Sequence, residues 1–444
     1  MMNISKKALV LAMTLALPAI SFSSPTLAYQ VSKQQVIKDI TYLASDELKG
    51  RASFSPEIDK AADYISQRFS EIGLSPLAGE KSFLQTFTIT NIQAKNLTVS
   101  LNGKPISAEN LGIASTMKNL SWQNGNAEVN THFVGENDDM RAKVSELNHI
   151  GGQHLVIIHP KHARMFKGYS NYFARGLNKL TLDHQGAIVL VMSEESEITA
   201  FDVKAENAHK TQKLTNVVGV LKGKDKANEN VLFSAHYDHL GTGGEGEDII
   251  YNGADDDASG TTAVINLAEH YAKQGNNSRT LIFSAFTAEE IGGFGSKYFS
   301  KQLNPDSVIA MMNIEMIGKP SKFGSGRVWM TGMERSNLGE LLNKGLPGDD
   351  AKIHADPYPE QNLFYRSDNA TLARLGVPAH SFSSTQLDKD QHYHQVSDDL
   401  ESLDLDSFYQ VINNLSVASQ GLVDGSITPT RVDTSKVLGS GKIY

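Results

Sequence analysis

The chain of 444 residues contains no cysteine, and this absence excludes several kinds of chemistry at once. Without thiols there are no disulfides, no cysteine nucleophile and no thiolate ligand for a metal. An excess of basic side chains is also lacking, because 41 Lys and Arg stand against 50 Asp and Glu, a formal net charge of −9. Nucleic-acid-binding proteins usually present a basic face, so no nucleic-acid partner is expected. Any metal site must be built from His, Asp and Glu.

A short apolar run follows two lysines near the N-terminus. Lys6 and Lys7 precede the apolar stretch 8–20, which contains Pro18, and the small residue Ala28 follows a few positions later. The stretch is shorter than the roughly 20 residues that a membrane span requires. The pattern therefore predicts a signal peptide over residues 1–28. We expect the protein to be exported, either to the periplasm or into the medium, with no membrane attachment after cleavage.

The hydrophobic pattern divides the rest of the chain. Residues 29–95 carry two amphipathic helical patterns, and residues 210–428 alternate apolar strands with helical patterns. Such alternation is typical of a mostly parallel sheet covered by helices. Residues 96–209 are rich in short strands and are predicted to be an inserted β-rich domain, while residues 429–444 show no core pattern and resemble a tail. The predicted fold class is α/β, a three-layer sandwich around a mostly parallel mixed sheet with this insert.

Metal-capable side chains follow successive predicted strands in the second half of the chain. The apolar runs 231–235, 281–285 and 309–314 each have the length and composition of a buried strand. In open α/β sheets, ligands bind at the carboxyl ends of the strands. The side chains that follow strands, or precede the last helix, are His236, Asp256, Glu290, Glu315 and His394.

This set of ligands favours zinc. Histidine nitrogens and carboxylate oxygens bind zinc, with cobalt or manganese as substitutes. Two ions about 3.5–4 Å apart need one bridging carboxylate and two further ligands each, which makes five. The count fits a two-metal hydrolase, although each residue taken singly also has an ordinary structural interpretation.

The order of the motifs resembles that of peptidase family M28, a family of zinc aminopeptidases. The resemblance covers the N-terminal helices and nearly everything from residue 216 to 424. It implies a zinc exopeptidase-like fold, peptide substrates, two zinc ions per chain and an insert where many members carry a protease-associated domain. The matching segments are LASDELKGR at 43–51, HYD at 236–238, GADDDASG at 253–260, Glu289-Glu290, NIEMIG at 313–318, Arg366-Ser367-Asp368 and the segment from Tyr393-His394 to Asp398.

The resemblance also implies a role for each of the five ligands. Asp256 would bridge the two zinc ions. His236 and Glu315 would complete one site, and Glu290 and His394 would complete the other.

Three further residues receive catalytic roles from the same resemblance. Glu289 would be the general base that takes a proton from the attacking water. Tyr393 would donate a hydrogen bond to the developing oxyanion. Asp238 would hold the imidazole ring of His236, as the neighbours of ligating histidines usually do.

Two positions depart from the family pattern. Glu315 stands where the aminopeptidases usually carry Asp, and Asn369 stands where His usually follows Ser-Asp. Because related two-metal exopeptidases use either acid, a carboxypeptidase-type activity stays open beside the aminopeptidase. The sequence is also compatible with a one-metal glutaminyl cyclotransferase on this fold and with a non-catalytic binding protein. It does not indicate an oligomeric state.

Overall fold

The computed structural model describes residues 30–125, 128–348 and 352–444, so the predicted signal peptide lies outside the described residues. The helices are α1 (Lys33–Leu43), α2 (Pro56–Ile72), α3 (Met140–Ile150), α4 (Ala163–Ala174), α5 (Gly260–Gln274), α6 (Phe294–Ser300), α7 (Leu338–Lys344), α8 (Asn369–Ala373), α9 (Leu405–Ala418) and α10 (Gln420–Val423). The strands are β1 (Ser75–Pro76), β2 (Leu84–Leu101), β3 (Lys104–Pro105), β4 (Leu111–Ser115), β5 (Asn119–Gln123), β6 (Val129–Val134), β7 (Gln153–Ile158), β8 (Leu177–Lys179), β9 (Ala187–Met192), β10 (Phe201–Leu221), β11 (Lys226–His236), β12 (Gly241–Thr242), β13 (Ile250–Tyr251), β14 (Arg279–Phe286), β15 (Val308–Ile314), β16 (Val328–Met330), β17 (Ile353–Ala355) and β18 (Ala379–Ser383).

A large mixed sheet forms the centre of the molecule. Its main path runs in the order β17-β16-β18-β15-β11-β14-β10-β2-β3. The four neighbours β18, β15, β11 and β14 pair in parallel, whereas β10 pairs antiparallel with both β14 and β2. Parallel strands are normally covered on both faces, which explains their continuous apolar sequences. The predicted α/β fold with a mixed sheet is confirmed, and the parallel strands occupy its centre.

Helices cover both faces of this sheet. In β11, Val231, Phe233 and Ala235 belong to one apolar cluster, which also contains residues of α1, α2, α5 and α9. Leu232 points to the opposite face and joins a cluster with Phe299 of α6 and residues of α8. Because side chains alternate along a strand, one strand supplies both cores. The three-layer α/β sandwich predicted from the sequence is therefore confirmed.

The region predicted as an insert has a sheet of its own. Strands β4, β9, β7 and β6 form it in that order, and apolar clusters cover its two faces. The region also contains the helices α3 and α4, which the strand-rich pattern did not predict. The long antiparallel pair β2 and β10 runs past positions 96 and 209, so these two strands extend from the sandwich into the insert. The domain boundaries at 96 and 209 stay a prediction.

The segment 429–444, expected to lack core contacts, packs against the rest of the chain. Val432 and Ile443 are 4% and 1% exposed, and Ile443 joins the apolar cluster of the insert. Two isolated apolar residues form no periodic pattern, which is why the sequence did not reveal them. Separately, among residues 30–125, 128–348 and 352–444 we find no helix with the length and hydropathy that crossing a bilayer demands.

Candidate metal centre

The carboxyl ends of the parallel strands carry the predicted ligands to one place. His236 is the last residue of β11, Glu290 follows β14, and Glu315 follows β15. Asp256 lies in the turn that leads into α5, and His394 lies in the loop before α9. The strands β14, β11 and β15 are adjacent and parallel, so the side chains that follow them meet at one edge of the sheet.

Asp256 lies at the centre of this group. Its Oδ1 atom is 3.2 Å from Nε2 of His236, and its Oδ2 atom is 3.2 Å from Nε2 of His394. His394 Nε2 is also 3.4 Å from Oε2 of Glu290. The two oxygens of one carboxylate thus face opposite halves of the site, which is the arrangement a bridging ligand needs.

Two groups of donor atoms share Asp256. His236, Asp256 and Glu315 form one group, and His239, Asp256 and Glu290 form the other, with the ligand atoms of each group within 4.8 Å of one another. His236 Nε2 lies close to Asp256 but makes no aligned hydrogen bond with any described residue. A buried histidine nitrogen without an aligned hydrogen-bond partner, next to several crowded carboxylates, is typical of a divalent-cation site. The residues present therefore fit zinc.

His239 is a member of the site that the sequence analysis missed. It stands three residues after His236 and is 2% exposed. Its Nδ1 atom lies 2.7 Å from Oε1 of Glu290. The signal was present in the sequence as a second histidine in the segment HYDH, but only one ligand was assigned to that strand end.

The carboxylate of Asp398 fixes the backbone of Asp256. It accepts hydrogen bonds from the amides of Asp255 and Asp256, both at 3.1 Å. Lys319 Nζ lies 3.6 Å from Asp398 and 2.9 Å from Asp390, so the buried acids have a cationic partner. Amide donors and a cation on the same carboxylate hold the turn before α5 in one conformation.

A buried arginine connects the segments that carry the ligands. Arg51 donates to the carbonyls of Leu43 at 2.5 Å, Tyr237 at 2.9 Å, Asn252 at 2.6 Å and Gly253 at 2.9 Å. It is 0% exposed. One guanidinium therefore joins the end of α1, the end of β11 and the loop before Asp256.

Asp238 contacts both His236 and Glu289. The Nδ1 atom of His236 lies 3.1 Å from the backbone carbonyl of Asp238 and 3.8 Å from its carboxylate. The carboxylate instead accepts hydrogen bonds from the amide of Glu289 and the hydroxyl of Ser53, both at 3.0 Å. The backbone of Asp238 orients the imidazole, and its side chain orients the segment of Glu289.

Burial and charge give the histidines and the bridging acid opposite shifts. Burial raises the pKa of Asp256, but the neighbouring His236 and His394 outweigh it and hold that pKa well below its ordinary value. Burial lowers the pKa of His394, yet the carboxylates of Asp256 and Glu290 raise it to about 10. Each shift favours the charged form, because acids and histidines lie side by side in a buried site.

Glu289 and Glu315 are shifted in the other direction. Burial raises the pKa of Glu289 well above its ordinary value, and the charge of Glu315 adds to this while His236 opposes it. Burial likewise raises the pKa of Glu315 to about 7, with a contribution from Asp256 and opposition from His236. A carboxylate with a raised pKa accepts a proton readily near neutral pH, as a general base must.

A cleft opens above the ligands. Met316, Trp329, Leu363 and Leu387 supply apolar side chains to it, and Arg366 and Tyr393 supply polar ones. The Tyr393 ring stacks on His394 with the ring centroids 4.0 Å apart, and its hydroxyl accepts a hydrogen bond from Arg366 at 3.3 Å. The cleft combines apolar walls with a few polar groups, as small-molecule and peptide sites usually do.

Asn369, the second departure from the family pattern, lies outside this cleft. Its side chain donates to the carbonyl of Phe364 at 3.1 Å and accepts from the hydroxyl of Ser381 at 2.9 Å. It is 0% exposed. These contacts give Asn369 a structural role between α8 and β18.

Comparison with known proteins places part of the chain beside a known family. Residues 216–418 match the model of peptidase family M28. The matched residues include all five predicted ligands together with Asp238, His239, Glu289 and Tyr393.

Two curated relatives share part of this region. A vacuolar membrane protease of Schizosaccharomyces pombe is 29% identical over 164 residues, which are 37% of this chain and 18% of that protein. A probable zinc metalloprotease of Pyrenophora teres f. teres is 25% identical over 237 residues, or 50% of this chain and 47% of that protein. The chain thus spans less than half the length of either relative.

The fold also resembles a solved structure over almost its whole length. The aminopeptidase from Aneurinibacillus sp. strain AM-1 superposes with a TM-score of 0.54 at 19% sequence identity, covering 93% of this chain and 97% of that one. At this level of identity the likeness establishes the shared α/β fold.

Proposed function

We propose that the protein is an exported two-zinc exopeptidase that hydrolyses the N-terminal peptide bond of peptides. The observation that carries this proposal is the position of the Asp256 carboxylate, with Oδ1 3.2 Å from Nε2 of His236 and Oδ2 3.2 Å from Nε2 of His394. His236, Asp256 and Glu315 would hold one zinc ion, and Asp256, Glu290 and His394 would hold the other. When bound, the zinc ions would polarise the scissile carbonyl and make a water molecule more acidic.

Glu289 acts as the general base in this proposal. Its carboxylate takes the proton of the attacking water and passes it to the nitrogen that leaves when the peptide bond breaks. The raised pKa of Glu289, caused mainly by burial, suits both steps. Asp238 keeps this carboxylate in place through the 3.0 Å hydrogen bond from the Glu289 amide.

Tyr393 stabilises the charge that develops on the carbonyl oxygen. Its hydroxyl lies in the cleft beside His394 and accepts a hydrogen bond from Arg366, which leaves the hydroxyl proton free to point at the substrate. A donor aimed at an oxyanion in a partly buried site contributes several kcal/mol in comparable enzymes. Arg366 strengthens this donor by holding the phenolic oxygen.

The direct test is a digest of a peptide library by the zinc-loaded protein, with and without a chelator. Aminopeptidase activity shortens peptides from the N-terminus, spares peptides with an acetylated N-terminus and stops when zinc is removed. Shortening from the C-terminus would support a carboxypeptidase, and cyclisation of N-terminal glutamine would support the cyclotransferase. A zinc-loaded protein that changes no peptide in the library would support a binding protein instead.

Export is a separate part of the proposal and has its own test. The sequence pattern of residues 1–28 supports it. Mature protein isolated from the native host should begin at Tyr29. Protein that keeps Lys6 and Lys7 at its N-terminus would contradict export by signal cleavage.

A further inference from the structure

We propose that His239 is a sixth protein ligand, which binds the second metal ion through Nδ1 together with Asp256, Glu290 and His394. This inference rests on the proposed two-zinc function and extends it, because that function needs only five ligands. The second site would then have four protein ligands, and the first site would have three.

Distances within the second site support this assignment. The Nδ1 atom of His239 lies 2.7 Å from Oε1 of Glu290 and 4.0 Å from Oδ2 of Asp256. His394 Nε2 lies 3.2 Å from the same Asp256 oxygen and 3.4 Å from the other oxygen of Glu290. Ligand atoms placed tetrahedrally at about 2.0–2.1 Å from zinc are about 3.3 Å apart. The four observed distances, 2.7, 3.2, 3.4 and 4.0 Å, lie on both sides of that value.

The ring of His239 is held in one position by its surroundings. Its amide donates to the carbonyl of Arg51 at 3.2 Å, and its side chain is fully buried. On the other side lies Gly253, where an added Cβ would be 2.5 Å from the ring of His239. Gly253 also has φ +59°, which favours glycine. The lack of a side chain at Gly253 therefore leaves room for the imidazole of His239 beside Glu290 and Asp256.

The side chain of His239 is fully buried, and its Nδ1 atom is the one that faces the carboxylates of Glu290 and Asp256. Its Nε2 atom makes no hydrogen bond with any residue in the described parts of the chain. The edge of the ring faces His394, with the two centroids 5.7 Å apart at an angle of 65°.

The competing explanation is a hydrogen bond alone, because 2.7 Å is also a normal length for an imidazole donor on a carboxylate. The substitution His239→Asn separates the two explanations. The asparagine amide nitrogen can take the place of Nδ1 and donate to Glu290, but it is not a ligand for zinc. Zinc affinity of the purified full chain should be measured by competition with a chromophoric chelator.

We expect two unequal zinc affinities in the unmodified protein and a loss of more than about a hundredfold in the tighter one in His239→Asn. Losing an outer hydrogen bond costs 10–100-fold, so a larger loss marks a ligand. Retention of both zinc affinities, or a loss of up to about a hundredfold, would overturn the assignment. His184→Asn, at an exposed histidine of the insert, is the matched control and should leave both affinities unchanged.

Two further measurements keep the inference separate from protein folding and from the proposed function. If His239→Asn does not fold, a crystal structure of the zinc-loaded unmodified protein decides, with Nδ1 of His239 expected about 2.0–2.1 Å from the second ion. A separation above about 3 Å, beyond any zinc–nitrogen bond, would overturn the assignment. The variant Asp256→Asn tests the five-ligand function by itself. If that function is wrong, the variant will keep both zinc ions. If only the His239 assignment is wrong, the variant will lose its zinc.

Discussion

At the scale of single residues, the acids of the site have distinct tasks although they stand within a few positions of one another. Asp256 supplies both oxygens to the ligand groups, while the neighbouring Asp257 accepts hydrogen bonds from the amides of His236, Gly260 and Met316. The sequence presents three consecutive aspartates, and its composition alone does not tell them apart. The assignment of Asp256 comes from the family resemblance, and the structure shows why its neighbour has a different task.

The proposed function also gives Glu289 and Glu290 different roles, a general base and a metal ligand, and this gives a first prediction. Glu289→Gln should bind zinc normally and lower kcat by about 10²–10⁴-fold with little change in KM, because it removes proton transfer and no ligand. Steady-state kinetics and metal analysis of the same sample test this. Glu247→Gln, at an exposed acid in the loop between β11 and α5, should behave as the unmodified protein does. Loss of zinc from Glu289→Gln would make Glu289 a ligand and contradict its role as base.

A buried histidine away from the ligands gives a prediction about pH. Burial lowers the pKa of His380 to about 4, and its ring lies between the carbonyl of Thr331 at 2.8 Å and the hydroxyl of Ser336 at 2.8 Å. The unfolded chain binds a proton at this residue below about pH 6.5, and the folded chain does so only near pH 4. The free energy that His380 contributes to folding as a neutral, buried ring is therefore fully present above pH 6.5, and it is lost as the pH falls towards 4.

The expected loss for His380 is about 2–3 kcal/mol between pH 7 and pH 4.5. It should be measured as the free energy of unfolding in urea, with a chelator present so that zinc release does not contribute. His380→Leu removes the titrating group, so the difference between the two proteins should change by this amount over the same range. A difference that is constant with pH would contradict the prediction.

At the scale of elements, the strands that carry the site were the easiest part of the fold to predict. The apolar runs 231–235, 281–285 and 309–314 correspond to the buried parts of β11, β14 and β15. A fully buried strand has a continuous apolar sequence, and polar side chains follow where the strand ends. The helices α3 and α4 were not predicted, because each lies among the short strands of the insert.

The segment before α2 contributes to the site through Arg51, and this gives a prediction at the same scale. Arg51→Lys should lower the free energy of unfolding by roughly 3 kcal/mol, because lysine leaves buried carbonyls without donors. It should also weaken zinc binding, since Tyr237 and Gly253 flank the ligands His236 and Asp256 in the chain. Denaturant unfolding and zinc titration measure the two effects. Arg141→Lys, at an exposed arginine of α3, should show neither, and a stable Arg51→Lys with full zinc affinity would contradict this account.

At the scale of the whole molecule, the last residues of the chain connect the insert with the sandwich. Arg431 donates to the carbonyls of Pro305 and Val308 beside the central sheet, at 3.1 and 2.9 Å. The side chain of Asn148 in α3 accepts from the amides of Ile443 and Tyr444 at 3.0 and 2.9 Å. Contacts between residues so far apart in the chain leave no local pattern, so the sequence predicted only a tail without a core pattern here.

The connection predicts an effect of Asn148→Ala. Removing the side chain leaves the amides of Ile443 and Tyr444 without acceptors, at a cost of about 1–3 kcal/mol. Limited proteolysis should then remove the last residues of the chain at least several times faster, while the sandwich stays intact. Asn130→Ala, at an exposed asparagine of β6, is the control. Unchanged release rates for Asn148→Ala would show that the segment is held by other contacts.

The central claim is that one carboxylate, that of Asp256, holds two zinc ions together, and zinc stoichiometry tests it most directly. Purified full-length protein, equilibrated with zinc and freed of excess metal, should contain two equivalents of zinc per chain by mass spectrometry. Asp256→Asn should lose the tight binding of both ions at once, because both donor groups include this residue. An unmodified protein that binds a single equivalent, or an Asp256→Asn variant that keeps two, would contradict the account.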